Sequence, residues 1–288
     1  MVPDLYKKAL QESLRLVPYN SAVQFQRYLS DTKPDPRLGM ACVFQTFDVA
    51  ERAIALGAAA EPTFLREGRH VAAVFREGRS LIVLDPYLLH THPLLFDLDA
   101  ASETGVLTCS SEAAPVRQDA TGQRKPAMLT GNLKLRGDDG YTLALEYKKY
   151  SPTKDHYVLS RYFKLDSTHT TSPDLAEFDL DKDLTHPEQT SLSIRTLSDD
   201  LTTMGEVILP LRGWQQGPFT RERLWARNNQ GVSFPATSEQ ARTVWDHVCE
   251  STGLDRETIE QHLLEASELY RKHADPTVDL ATYNLDPE

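Results

Sequence analysis

Two short apolar runs, Val71–Phe75 and Leu81–Leu84, flank Arg76-Glu77-Gly78-Arg79. A Gly beside an acidic residue, set between two strand-like runs, predicts a β-hairpin with a tight turn. With Glu77-Gly78 as a two-residue loop, Arg76 faces Arg79, Phe75 faces Ser80 and His70 faces Asp85. Directly opposed side chains share one face of the sheet, with Cβ atoms about 5 Å apart. That spacing lets an imidazole and a carboxylate hydrogen-bond. The carboxylate would fix the histidine tautomer and favour its protonated form.

Upstream, a helix is expected from about Ala41. Val43, Phe47, Ala50, Ile54 and Ala55 supply its apolar and small positions, and Gly57 supplies a stop. Cys42 then lies on the first helical turn. The helix dipole favours a thiolate there, and a nearby imidazolium favours it further. Cys42, His70 and Asp85 are thus the candidates for nucleophile, base and orienting carboxylate. Spacing alone does not bring Cys42 to His70.

The order Cys, His, Asp resembles the triad of the arylamine N-acetyltransferases. Their motif is Arg-Gly-Gly-x-Cys-Phe-Glu, then a helix ending in Leu-Gly, then a strand histidine, then an aspartate. The matching stretch here is Leu38-Gly39-Met40-Ala41-Cys42-Val43-Phe44-Gln45, with Met40 at the second glycine and the arginine displaced to Arg37. Val17-Pro18-Tyr19-Asn20 looks like the family's Pro-Phe-Glu-Asn segment. Leu184–Pro187 through Ile208–Leu211 looks like its second domain, and Thr237–Leu264 like its closing helices. The wider transglutaminase-like superfamily shares the triad order, and Asp85-Pro86 looks like its Asp-Pro.

The resemblance implies a cysteine-dependent N-acyltransferase, or amide synthase. Cys42 would take an acyl group from a thioester and His70 would deprotonate the attacking amine. Acyl-CoA or a carrier-bound acyl chain would be the co-substrate, with no resident cofactor. The partners would be a small-molecule amine and the acyl thioester, the latter with or without an acyl carrier protein. Phe44, Tyr87 and Leu88 are the candidate substrate-binding residues; each is equally readable as packing. The alternative in another reaction class is a transglutaminase-like hydrolase or peptidase using the same triad. A third reading is a scaffold without activity.

Charge and composition narrow the field. The 288 residues carry a net charge of −11. Residues 1–95 hold eleven Lys and Arg against ten Asp and Glu, and the remainder holds twenty against thirty-two. This acidic excess argues against a nucleic-acid binder. No run approaches the roughly 18 apolar residues of a membrane span. The start, MVPDLYKKAL, lacks the apolar core of a secretory signal. Cys42, Cys109 and Cys249 lack CxxC spacing and cannot all pair, which fits a reducing, cytoplasmic setting. His90-x-His92 supplies two imidazoles, short of the three or four ligands of a zinc site, so no metal is expected. Gly-rich phosphate loops are absent.

Periodicity predicts an α+β fold: an N-terminal helical region with the Cys-bearing helix, a central antiparallel β barrel or sandwich, and C-terminal helices. The expected divisions are 1–100, 101–215 and 216–288. Helices are expected over 4–16 and 21–30, and an extra strand over Pro62–Arg66. Ser, Thr and Gly dominate 102–131. Short strands then follow at Leu129–Leu135, Tyr141–Tyr147, Tyr157–Leu165, Leu192–Leu197 and Glu206–Leu211, with a turn at Gly137-Asp138-Asp139-Gly140. Asp255 reads as an N-cap before a helix whose face is Ile259, Leu263, Ala266 and Tyr270. The acidic stretch Asp275–Glu288 is expected to be a poorly ordered or loosely docked tail.

Overall fold

The computed structural model describes residues 4–100, 105–137, 140–174 and 180–288. The chain begins with α1 (Asp4–Leu16), β1 (Tyr19–Asn20), α2 (Val23–Leu29) and α3 (Cys42–Ala55). Four short strands follow: β2 (Thr63–Glu67), β3 (His70–Glu77), β4 (Ser80–Leu84) and β5 (Leu94–Asp97). Next come β6 (Val106–Gln118), β7 (Arg124–Arg136), β8 (Gly140–Ser151), β9 (His156–Asp166) and β10 (Thr170–Thr171). The remainder holds α4 (Leu180–Leu184), β11 (Ser191–Leu197), β12 (Met204–Pro210), β13 (Trp225–Arg227), β14 (Ser233–Pro235), α5 (Arg242–Thr252) and α6 (Arg256–His273). The class is α+β. The three sheets are antiparallel, in the orders β1-β11-β12-β13-β14, β10-β2-β3-β4-β5 and β6-β7-β8-β9. Among the described residues, none closes on itself into the barrel that the short-strand pattern allows.

Contacts divide the chain into two units: residues 1–14 with 42–177, and 15–41 with 178–288. The boundaries therefore fall elsewhere than at 100 and 215. In the first unit, α1 is amphipathic. Tyr6, Ala9, Leu10, Ser13 and Leu14 are buried, which is the i, i+3, i+4, i+7, i+8 stripe of a core-facing helix. Ser13 Oγ donates to Asp48 Oδ2 at 2.9 Å, joining α1 to α3. β3 is buried from His70 through Phe75 because β2 and β4 flank it and both its faces are covered. A strand covered on both faces reads as a continuous apolar run rather than an alternation.

Every strand expected between 129 and 211 is present. The expected turn residues Asp138 and Asp139 lie outside the described residues, but the strands on either side pair, with Arg136 opposite Gly140. The Ser/Thr-rich stretch hides a further long strand, β6. Its alternation uses small polar residues, and these bond across to β7: Thr108 Oγ1 donates to Asn132 Oδ1 at 2.7 Å, and the Ser110 and Thr130 hydroxyls lie 3.0 Å apart.

In the second unit, Leu192, Ile194, Val207 and Leu209 of the sheet pack against Val244, Trp245 and Val248 of α5 and Leu263 and Tyr270 of α6. Asp255 caps α6, its Oδ1 accepting the Thr258 N–H at 2.8 Å. The Val17–Asn20 and Leu38–Met40 segments lock together: Met40 N–H donates to Pro18 O and Asn20 N–H to Met40 O. Gly39 sits at φ +83°, and a Cβ there would lie 2.0 Å from Pro18 O, so only glycine fits this crossing. The tail after α6 is held more firmly than its composition suggests. The buried Arg227 donates to Tyr283 Oη and Asn284 O and pairs with Glu288, and Leu280 is buried. Among the described residues, no helix is long and apolar enough to cross a membrane.

His262 of α6 is buried and satisfied only as a neutral ring. Asn20 Nδ2 donates to its Nε2 at 2.9 Å, and its Nδ1–H donates to Gln26 Oε1 at 2.8 Å. Burial pushes its pKa down to about 4. The unfolded chain therefore binds the proton more readily between pH 6.5 and 4, so stability falls as pH drops through that window. Between pH 7 and pH 5, urea denaturation should show the wild type losing on the order of 2 kcal/mol more than His262→Gln, which cannot titrate.

Candidate active site

The hairpin forms with a different turn from the one expected. Glu77 pairs with Ser80, so Gly78-Arg79 is the two-residue loop, and Gly78 takes φ +59°. A two-residue hairpin turn of this kind wants its glycine at the first central position. The register is therefore displaced by two residues from the expected one. Ala73 opposes Leu84, and Asp85 lies just past the end of β4 rather than directly across from His70. A two-residue slip keeps every side chain on its original face, whereas a slip of one would not. The pair is diagonal, and a long side chain spans that gap. His70 Nε2–H donates to Asp85 Oδ2 at 2.8 Å, with His70 4% exposed and Asp85 fully buried.

What the sequence did not supply is the link to Cys42. Cys42 is the first residue of α3 and is half-buried. One turn on, the buried Thr46 Oγ1 donates to Val71 O at 2.9 Å and also reaches Cys42 O at 3.2 Å. Val71 follows His70 on β3, so a single hydroxyl ties the cysteine helix to the histidine strand. Phe47 packs edge-on against Phe64 of β2, with centroids 4.9 Å apart. His70 Nε2 is taken by Asp85, and Nδ1 has no aligned hydrogen bond. Cys42 is close enough to favour a proton on the ring even so. Burial acts to lower the His70 pKa, but the charge and hydrogen bond of Asp85, helped by Cys42, raise it well above the ordinary histidine value.

Phe163 of β9 stacks on the imidazole, with centroids 3.6 Å apart and planes 13° from parallel. Nothing in the local pattern of β9 announces this contact, because it joins distant parts of the chain. Tyr87 flanks the same ring at 5.7 Å, and its hydroxyl accepts Arg161 Nε–H at 3.1 Å. Of the three candidate substrate-binding residues, Tyr87 and Phe44 are half-buried, whereas Leu88 is fully buried and packs in the core. Phe44 meets Phe47 edge-on at 6.1 Å. Cys109 and Cys249 are free thiols, and burial raises the pKa of Cys249. No group of three or more His, Cys, Asp or Glu that could hold a metal occurs among the described residues.

Chemically, the group offers a reachable sulfur, a shielded base held in one tautomer, and a carboxylate with no route to solvent of its own. Comparison with protein-family models, with curated proteins and with solved structures returns no match.

The balance at His70 can be measured by nitrogen-15 NMR titration. The raised value means the folded state holds the proton more tightly. That contribution to stability is full below pH 6.5 and is lost as pH climbs through the raised pKa. In Asp85→Asn the burial effect loses its main opponent, so His70 should titrate below its ordinary value of about 6.5. A ring that still titrates above that value would mean Asp85 is not what holds the proton.

Proposed function

We propose that this chain is a cysteine-dependent N-acyltransferase of the arylamine N-acetyltransferase type. It would move an acyl group from a thioester through Cys42 to an amine. One observation carries the reading: the buried His70–Asp85 hydrogen bond, set beside a half-exposed cysteine on the first turn of a helix. A structural cysteine does not need an oriented, proton-holding imidazole, whereas a nucleophile does.

In the first half-reaction the Cys42 proton passes to His70 and the sulfur attacks the donor carbonyl. The tetrahedral oxyanion is met by backbone N–H groups at the start of α3, those of Cys42 or Val43, which point along the favourable end of the helix dipole. Collapse expels the donor thiol, which leaves with the proton from His70, and an acyl-Cys42 thioester remains. In the second half-reaction an amine attacks that thioester, His70 accepts the amine proton, and Cys42 is released as the amide departs. Asp85 holds the ring in one tautomer throughout. Phe163 and Tyr87 keep bulk water off the imidazole.

A second reading has its own support. Asp85 runs directly into Pro86 and a 3₁₀ turn, Pro86–Leu88, rather than into an open glycine loop. This suits a transglutaminase-like hydrolase or peptidase, in which water or a lysine amine takes the acyl group.

Intact-mass analysis after incubation with a panel of acyl-CoAs separates the two. The transferase is expected to gain one acyl mass on Cys42 and to lose it on addition of an arylamine, with the amide recovered. Acylation by no thioester, together with amide cleavage, would favour the hydrolase. Cys42→Ala should abolish both the adduct and turnover. Asp85→Asn, which favours the wrong tautomer, should slow single-turnover acylation by roughly 10²–10⁴-fold.

A further inference from the structure

We propose that His90 is a positioning residue, a neutral imidazole that holds the backbone of Asp85 so that its carboxylate meets His70. The inference rests on the triad reading above and extends it to a residue outside the triad.

The geometry is specific. His90 is completely buried. Its Nε2 accepts the backbone N–H of Asp85 at 3.0 Å, and its Nδ1–H donates to the backbone carbonyl of His92 at 2.7 Å. An imidazole that accepts at one nitrogen and donates at the other is a single neutral tautomer. Burial, the largest influence on this ring, pushes its pKa down, which keeps Nε2 free to accept. The His90-x-His92 pair, too few ligands for a zinc site, closes a turn instead: one histidine reads the other's carbonyl and the aspartate's amide.

The turn is braced on its far side. Leu89 sits at φ +56°, a left-handed conformation that a leucine adopts only when its surroundings hold it there. Here Leu89 N–H donates to Pro86 O, Ala114 N–H donates to Leu89 O, and Thr91 N–H donates to Glu112 O. His90 itself bridges to Ala113 of β6. Asp85 has left the hairpin ladder by this point, since the last β3–β4 pair is Ala73–Leu84. No strand partner fixes its amide; His90 does. The long sheet thereby sets the place of the carboxylate through one ring.

The test uses the full chain and the pH dependence of Cys42 carboxamidomethylation by iodoacetamide, mapped by peptide mass. Asp85→Asn serves as reference. His90→Phe keeps the bulk and removes the acceptor; His90→Gln can return an acceptor oxygen close to the place of Nε2. His90→Phe should slow Cys42 alkylation at pH 7 by about tenfold, the scale of one lost buried hydrogen bond. Its profile should move to alkaline pH, as that of Asp85→Asn does, while His90→Gln stays near wild type. A packing role would lower thermal stability without moving the profile. A His90→Phe profile superimposed on wild type, with Asp85→Asn displaced, overturns the role of His90 and leaves the triad standing. If Asp85→Asn also superimposes on wild type, the triad reading and this inference fall together. Should His90→Phe not fold, nitrogen-15 NMR of the wild type decides. Proton at Nδ1 and none at Nε2 at pH 7 is expected; the opposite tautomer or an imidazolium overturns the proposal.

Discussion

The hydrogen bond between His70 and Asp85 is the constraint around which the first unit is arranged. Both groups are removed from water, and a buried ionic pair is tolerated only when its geometry is good and its partners stay together. Deleting one member would strand the other in an apolar surround. That explains why so much of the neighbouring structure is devoted to placement: a hydroxyl joining α3 to β3, an aromatic ring laid over the imidazole, a second ring beside it, and a braced turn behind the carboxylate. Of the three proposed triad residues, Cys42 alone is partly exposed. In the proposed reaction, solvent would meet the nucleophile while the proton acceptor would work in a medium where charge interactions are strong.

Much of this was readable from residue types. The apolar runs around Gly78 announced the hairpin, and the fifteen-residue separation of His70 and Asp85 put both on one face. The register differs from the expected one because Gly78 takes the first loop position rather than the second. The pair survived because the error was an even number of residues and β-structure alternates with a period of two. The cysteine helix, the cap at Asp255 and the α6 face followed from capping and periodicity alone. What escaped were contacts between segments far apart in the chain. Thr46 is an unremarkable threonine until its partner Val71 O is known, and Phe163 is one aromatic among several in β9. β6 escaped for a different reason: its more buried alternate positions are Leu107, Cys109, Ser111 and Ala113, mostly small residues that carry little apolar contrast with the exposed Thr108 and Ser110 between them. The C-terminal stretch looks loose from its acidity, yet the buried Arg227 holds it through Tyr283, Asn284 and Glu288.

The turn that follows Asp85 carries more of the site than its loop-like composition implies. Pro86 fixes the backbone entering a 3₁₀ turn, Leu88 drives into the core, and Tyr87 is left beside the imidazole. A single short segment therefore ends the hairpin, buries an apolar anchor and supplies one wall of the site. A glycine-rich loop at this place would give the substrate more backbone to touch and the carboxylate less support. The balance struck here favours a firmly held acid over an adaptable rim.

The pairing of β1 with β11 has a consequence for how the chain becomes a protein. Tyr19 stands opposite Arg195, and Ser21 exchanges hydrogen bonds with Ser193. The early segment around residues 15–41 finds its sheet only after the far side of the chain has been made. All of residues 42–177, by contrast, neighbour one another in sequence. During synthesis the first unit is complete once residue 177 has emerged, before residues 178–288 of the other unit exist, and it can close over mainly short and intermediate loops. The other unit must wait and then close one long loop, an entropic cost that rises slowly with length but delays the search. Topology thus lets the surroundings of the thiol come together while β1, about 20 residues ahead of Cys42, still lacks its partner β11.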